Sequence, residues 1–471
     1  LVDEAPSRYR FANSELTYIS AYINYREGDF SKAMSLLQAQ VNQVDQDSPL
    51  STKLAARILL ENGYYYAARR YACHLLKSDR KDIEALDILG QALNAESNWK
   101  AARKSYELLH EITGDVISKL NMLFILPQVA VSANELSKAL DSFIDNLERF
   151  SLDEQSFGFI RSISLATSTC HTFFLAYHGD INLKSLLEAY YSLVRCVAHQ
   201  VIQENFDSYS PQAKSASRSP IHGKMNSRVR VGFMSRNLYQ HSNLQAHAGL
   251  IKNLNRDLFE VVLIHRHGVK TDFAHADINN HADKSIYLAS DFGNACKQIA
   301  DLHLDINFIT DIGMNPLDGI LAMVRLAPLQ VTGWGIPHTT GLTEIDYYLR
   351  SSIFDDCESQ REYTERLISL EGYLGYFELD KSSFIEKTTD YFFLPPDRFL
   401  VGCLQTLHKI HPDFDFYLEE IARLDESVLI IIAASESDSL NQRFVQRIKK
   451  SAPTAYNQIC FVQRMAVSDY H

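Results

Sequence analysis

The hydrophobic pattern of this chain changes period once, near residue 229, and the change limits the architectures open to it. Before that point apolar residues recur at helical spacing with few Gly or Pro, as in LNMLFILPQVA and LLEAYYSLVRCVAHQVI. After it, short apolar runs alternate with amphipathic stretches: VRVGFMS (229–235), LQAHAGLIKNLN, FEVVLIHRH (259–267), ACKQIADLHL, INFITDIG (306–313), LDGILAMVRL and LQVTGWG (329–335). Runs of about four to eight apolar residues, each followed by one helix, are the pattern of a parallel sheet covered on both faces. A second set opens with RFLVGCL (398–404), passes through a helix around Phe414–Arg423, and continues with SVLIIIAA (427–434), a helix over Leu440–Lys450 and ICFV (459–462). The predicted fold class is therefore α plus α/β: a helical array followed by two Rossmann-like lobes facing a cleft. Ligands of such sheets bind at the carboxyl ends of the strands.

At 471 residues the chain exceeds one ordinary core, and the length prior is about three domains. Ala33, Ala67 and Ala101 are spaced 34 apart, each after a turn or bulky cluster (GDF at 28–30, GYYY at 63–66, SNW at 97–99). That period, with a small residue where paired helices approach, resembles the tetratricopeptide repeat. The expected order is 1–118 helical repeats, 119–209 a helical adaptor, 210–228 an exposed linker rich in Ser, Pro, Lys and Arg, 229–394 the first lobe, and 395–471 the second. The segment 350–394 reads as a polar, aromatic-rich connection. Because the second set stops soon after it starts, the expectation is that its lobe is incomplete.

Acidic residues outnumber basic ones, 58 to 46, for a formal charge of -12, which repels phosphate backbones and argues against nucleic acid as a partner. The 7 cysteines form no CxxC pair and suit reduced thiols in a cytoplasmic compartment. No apolar run approaches the roughly 20 residues of a membrane span. Phosphate-loop, HExxH, GxSxG and GxGxxG motifs are all missing, as is a tight Cys/His metal set.

Three clusters fall where strands should end. SRNLYQHSNLQAH (235–247) brings Ser235, Asn237, His241 and His247 to the mouth of the sheet, and a histidine there can accept a proton or polarise a hydroxyl. GWGIPHTTGLTEIDY (333–347) places Pro337, His338, Thr339, Thr340 and Gly341 in a loop whose backbone N–H groups could wrap a phosphate or sugar. GCLQTLHKIHPDFD (402–415) sets Gln405, Thr406 and Lys409 ahead of a helix start, where an ammonium and backbone donors can converge on a diphosphate. Each has a bland alternative: helix-packing histidines, a tight structural turn, a solvated lysine.

Taken together, these stretches resemble the catalytic region of the intracellular protein O-glycosyltransferases, the family of O-linked N-acetylglucosamine transferase. That family includes SPINDLY-type O-fucosyltransferases and bacterial N-glucosyltransferases. The resemblance is carried by VRVGFMSRNLYQHS (229–242), RLAPLQVTGWGIPHTTGLTEIDYYL (325–349), ERLISLEG (365–372) and FLVGCLQTLHKIHP (399–412). It implies a GT-B pair of lobes, the second binding the nucleotide, and a metal-independent transfer of one sugar, N-acetylglucosamine ranked first, from a UDP-linked donor to protein Ser or Thr. It further implies that Lys409 meets the diphosphate, that His241 acts at the active site, and that the HTTG loop lines the acceptor and sugar pocket. Asn237, His247, Gln405 and Thr406, with Pro337 beside the HTTG loop, are expected substrate-binding residues, and the helical repeats would dock the acceptor polypeptide. The sequence departs from the family at Asn237, where the acetylglucosamine transferases carry Asp, and at Thr406, where they carry Gln. An N-glucosyl- or O-fucosyltransferase, a non-catalytic repeat scaffold, and an enzyme acting on a lipid or small-molecule acceptor are the alternatives.

Overall fold

The computed structural model describes residues 13–26, 29–41, 49–150, 172–205, 228–289, 292–376 and 388–463. Its N-terminal part is built of consecutive helical hairpins: α1 (Asn13–Arg26) on α2 (Phe30–Val41), α3 (Pro49–Glu61) on α4 (Tyr65–Ser78), and α5 (Ile83–Ala95) on α6 (Trp99–Thr113). Small separate cores join neighbouring hairpins, such as Leu37 with Ile58 and Leu60 with Ile88, so each hairpin buries apolar surface against the next. The start of α5 is fixed by Asp82, whose carboxylate accepts from the Ala85 amide at 3.0 Å. Ala33, Ala68 and Ala102 are fully buried, whereas Ala67 and Ala101 are only half-buried. In two of three hairpins the close-packed alanine is thus one residue beyond the one that the 34-residue spacing marks. A single step turns a helical position by about 100°. The turn residue Gly28 and the expected linker 210–228, apart from Arg228, lie outside the described residues.

Three further helices, α7 (Val116–Leu123), α8 (Ala133–Arg149) and α9 (Leu183–Asn205), lead to the sheet. Phe124, Phe143, Leu187 and Tyr190 share one core with Met234, Ile264, Ile309 and Ile320 of the α/β region. That region interleaves β1 (Val229–Ser235), α10 (Ser242–Asn253), β2 (Phe259–His265), α11 (Phe273–Asn280), β3 (Lys284–Tyr287), α12 (Phe292–Ala300), β4 (Ile306–Ile309), α13 (Pro316–Met323), β5 (Leu329–Thr332), β6 (Tyr347–Ser351) and β7 (Arg366–Leu370). All seven strands are parallel, in the order β3-β2-β1-β4-β5-β6-β7. The chain winds outward from β1 through β2 and β3, then returns through β4 to the other side. The carboxyl ends of β1 and β4 therefore form the switch point where open α/β sheets hold ligands. The segment expected to be a connection from 350 onward contains the end of β6 and all of β7. Four of the five residues of β7 are exposed, so no core-facing periodicity marks it in the sequence.

The second sheet has the order β10-β9-β8, also parallel, from β8 (Phe399–Cys403), β9 (Val428–Ala433) and β10 (Ile459–Val462). Its helices are α14 (Asp415–Leu424), α15 (Asp438–Ser451) and α16 (Pro453–Gln458). Two arginines of α15 fasten this lobe. Arg443 donates to the Val129 carbonyl at 2.8 Å and pairs with Glu135 at 2.7 Å. Arg447, 2% exposed, lies 3.1 Å from Asp415 and donates to the Ile410 carbonyl at 3.0 Å. Among the described residues no helix is long and apolar enough to cross a membrane.

Candidate active site

At the switch point the Ser235 hydroxyl donates to Asp311 Oδ2 at 2.7 Å, and the Asn237 side-chain amide donates to the same oxygen at 2.8 Å. The Asn237 backbone amide closes the ring by donating to Ser235 Oγ at 2.8 Å. Asp311 lies just past β4, fully buried, and Asp318 on α13 is buried beside Arg266, with which it pairs. Burial, then the Asp318 charge, raises the Asp311 carboxyl to about 7. Burial also raises Asp318, against the lowering effect of the Arg266 charge, so both carboxyls of the pair are pushed toward the protonated form. In the sequence Asp311 is hidden inside the strand-like run INFITDIG. Its place, a polar residue directly after an apolar strand, is the same signal that picked out Ser235.

A raised carboxyl makes the native state bind more protons than the unfolded chain between the ordinary Asp value of about 3.9 and about 7. Stability from this group is therefore greatest at low pH and is lost as pH rises through that window. Asp311→Asn, whose amide oxygen can still accept from Ser235 and Asn237, is expected to flatten this fall. Denaturant midpoints at pH 5 and pH 8 test it: the parent loses more stability between them than the variant does.

The loop carrying Asn237 and His241 is held from behind by α11. Asp272 caps that helix and accepts from the Gln240 amide at 2.9 Å, and His275 Nδ1 lies 2.9 Å from the Leu238 carbonyl. His241 is the N-cap of α10, its Nδ1 accepting from the Asn243 amide at 3.1 Å. With Nδ1 engaged as acceptor, the neutral ring carries its proton on Nε2 and offers a donor there, not a base. His247 is placed differently from the expectation. It is fully buried, stacked on Trp334 with ring centroids 4.8 Å apart, and its Nδ1 lies 2.8 Å from the Asn243 carbonyl. Burial lowers its pKa to about 4, so it is a neutral interior side chain. Gly335 allows this packing, since a Cβ there would overlap the Thr310 carbonyl oxygen.

In the HTTG loop Pro337 is exposed while His338, Thr339 and Thr340 are buried. The Thr339 hydroxyl donates to Glu365 Oε2 at 2.7 Å, and both the amide (2.7 Å) and the hydroxyl of Thr340 donate to Oε1. The Gly341 amide donates to Thr339 Oγ1 at 3.2 Å and the Leu342 amide to Thr340 Oγ1 at 3.1 Å. These donors, expected to remain open for a ligand, are engaged within the turn and by Glu365. Gly341, at φ 72°, sits where a Cβ would strike the backbone of α9 at Leu187. Glu365 lies within the ERLISLEG stretch, and its role depends on a partner loop distant in sequence, which no local pattern marks.

Past β8, Gln405, Thr406 and Lys409 are all exposed. Lys409 ends a short 3-10 turn, Leu407–Lys409, and a second such turn, Pro412–Phe414, separates it from α14. The first turn of α14 instead holds Asp415, 2% exposed beside Arg447, so Lys409 does not share that helix N-terminus as the sequence suggested. Its Nζ lies 5.7 Å from the ring centroid of Tyr177, and no carboxylate pairs with it among the described residues. Nor, among those residues, are three His, Cys, Asp or Glu side chains grouped as metal ligands would be.

No protein-family model matches the chain. Over 94 residues, 18% of the chain, it is 30% identical to the probable UDP-N-acetylglucosamine–peptide N-acetylglucosaminyltransferase SEC of Arabidopsis thaliana, and the match spans 10% of that protein. Among solved structures, a lysine-to-methionine mutant of the Thermobaculum terrenum O-GlcNAc transferase aligns over 98% of this chain and 76% of its own, with a TM-score of 0.59 at 17% identity. The chain thus resembles the O-GlcNAc transferases in fold along its length and in sequence over that stretch.

Proposed function

We propose that this chain is a metal-independent glycosyltransferase that moves one sugar from a nucleotide-sugar donor to Ser or Thr side chains of an acceptor protein. UDP-N-acetylglucosamine ranks first among donors. The observation that carries this reading is Lys409: an exposed ammonium just past the carboxyl end of β8, unpaired with carboxylate among the described residues. An ammonium so placed can neutralise the charge that grows on a departing diphosphate. Gln405 and Thr406, exposed beside it, would contact the donor, as would Asn237, oriented by Asp311. His241 would donate from Nε2 to an oxygen of the sugar, phosphate or acceptor. The helical hairpins would dock the acceptor polypeptide, since such arrays present extended concave surfaces. The thiols of Cys73, Cys196, Cys357, Cys403 and Cys460, which form no disulfide, suit a reducing compartment, and the reading places the reaction in the cytoplasm.

Calorimetric titration with UDP and with GDP tests the donor site. One of the two is expected to bind at a single site in the micromolar to millimolar range, and the preferred base selects the donor class. Absence of binding by both contradicts the enzyme reading and favours a non-catalytic scaffold.

A further inference from the structure

We infer that the segment Thr172–His178 is a positioning element for the Lys409 turn, with Tyr177 as its working residue. This rests on the reading of Lys409 as the group that meets the donor diphosphate. The segment forms a short 3-10 turn, Thr172–Tyr177, ahead of α9 and is tied to the first lobe. The Phe173 amide donates to the Gly313 carbonyl at 3.3 Å, two residues past Asp311, and the Thr172 hydroxyl lies 3.1 Å from the Tyr191 hydroxyl. His178 anchors its far end, with Nε2 3.1 Å from the Pro127 carbonyl.

The opposite face of the segment receives the second lobe. The His408 ring sits edge-on among three aromatic rings, with centroids 6.2 Å from Phe173, 5.1 Å from Phe174 and 5.6 Å from Tyr177. Burial lowers the His408 pKa to about 4, so this ring adds no charge beside Lys409. On the other flank Arg447 holds the Ile410 carbonyl. The turn is thus seated on side chains from outside its own sheet, and the ammonium lies over the face of Tyr177, where the ring quadrupole attracts it. A lysine has four side-chain torsions to fix, and a ring beneath the ammonium fixes them before the anion arrives. One segment therefore links the switch-point residues of the first lobe to the cation of the second.

The test is a double-mutant cycle read by UDP or GDP titration, whichever nucleotide the parent binds. Tyr177→Phe keeps the ring and is expected to bind like the parent. Tyr177→Leu keeps apolar bulk without the ring and is expected to bind roughly five-fold more weakly. In a Lys409→Ala background the same Leu change is expected to have no further effect, because the residue acts through the ammonium. Unchanged or tighter binding by Tyr177→Leu, or an equal loss in both backgrounds, overturns the inference alone. No nucleotide binding by the parent overturns the reading beneath it as well. A second readout needs no nucleotide: the ε-methylene resonance of Lys409 is shifted upfield by the ring current in the parent and the Phe variant, and returns to its ordinary position in the Leu variant. Identical shifts in all three overturn the inference.

Discussion

Alanine at Lys409 is expected to lower sugar transfer by roughly 100- to 1000-fold while leaving the unfolding midpoint unchanged. The two halves of that expectation have different origins. Lys409 is exposed, with its ammonium 5.7 Å from the ring centroid of Tyr177 and no carboxylate paired with it among the described residues, so the fold loses little when the side chain is removed. Transfer, in contrast, builds charge on the leaving diphosphate, and a preorganised ammonium stabilises that charge more in the transition state than in the bound donor. The drop is therefore expected mainly in kcat, with a smaller rise in the donor KM. Lys409→Arg retains the charge on a planar, differently reaching group and is expected to recover only part of the rate. Steady-state kinetics beside a thermal melt separate these effects. A Lys409→Ala chain with parental turnover removes the residue from the chemistry.

Glu365→Ala is expected to cost about 3–5 kcal/mol of stability, the largest effect among substitutions away from the proposed chemistry. The carboxylate is 1% exposed and receives both threonine hydroxyls and the Thr340 amide of the HTTG turn. Removing it leaves three buried donors without their acceptor. The turn in turn packs on α9, where the Arg195 guanidinium pairs with Glu344 at 2.8 Å and the Thr364 hydroxyl donates to Glu188 at 2.8 Å. Loosening it therefore loosens the contact between the sheet and the helical part. Glu365→Gln keeps one acceptor oxygen and is expected to lose less than half as much. Denaturant unfolding of the three proteins provides the comparison, and an Ala variant within about 0.5 kcal/mol of the parent contradicts this account of the loop.

The central strands were legible because β1, β2, β4 and β9 are buried for most of their length and read as unbroken apolar runs. Strands β3, β6 and β7 escaped for the opposite reason. They lie toward the sheet's edges, and KSIY, YYLRS and RLISL carry few or no buried residues. The helical hairpins were visible from their spacing, yet spacing alone put the packing alanine one position early at Ala67 and Ala101. At the candidate site, residues adjacent to strand ends were found, whereas the buried carboxyls that organise them were not. Asp311 serves Asn237 across 74 positions of sequence and Glu365 serves Thr340 across 25, distances at which no local pattern reports a contact. His247 shows the converse: a histidine one helical turn past a site looks like a ligand until the fold stacks it on Trp334.

The most direct measurement of the central claim is transfer itself: intact-mass spectrometry of a Ser/Thr-rich acceptor polypeptide incubated with this chain and, in parallel, UDP-N-acetylglucosamine, UDP-glucose and GDP-fucose. The account predicts that one donor, UDP-N-acetylglucosamine first, adds single sugar increments to the acceptor, and that the Lys409→Ala chain does not. Nucleotide binding with no increment from any donor, across several acceptors, would contradict it and leave a nucleotide-binding scaffold in its place.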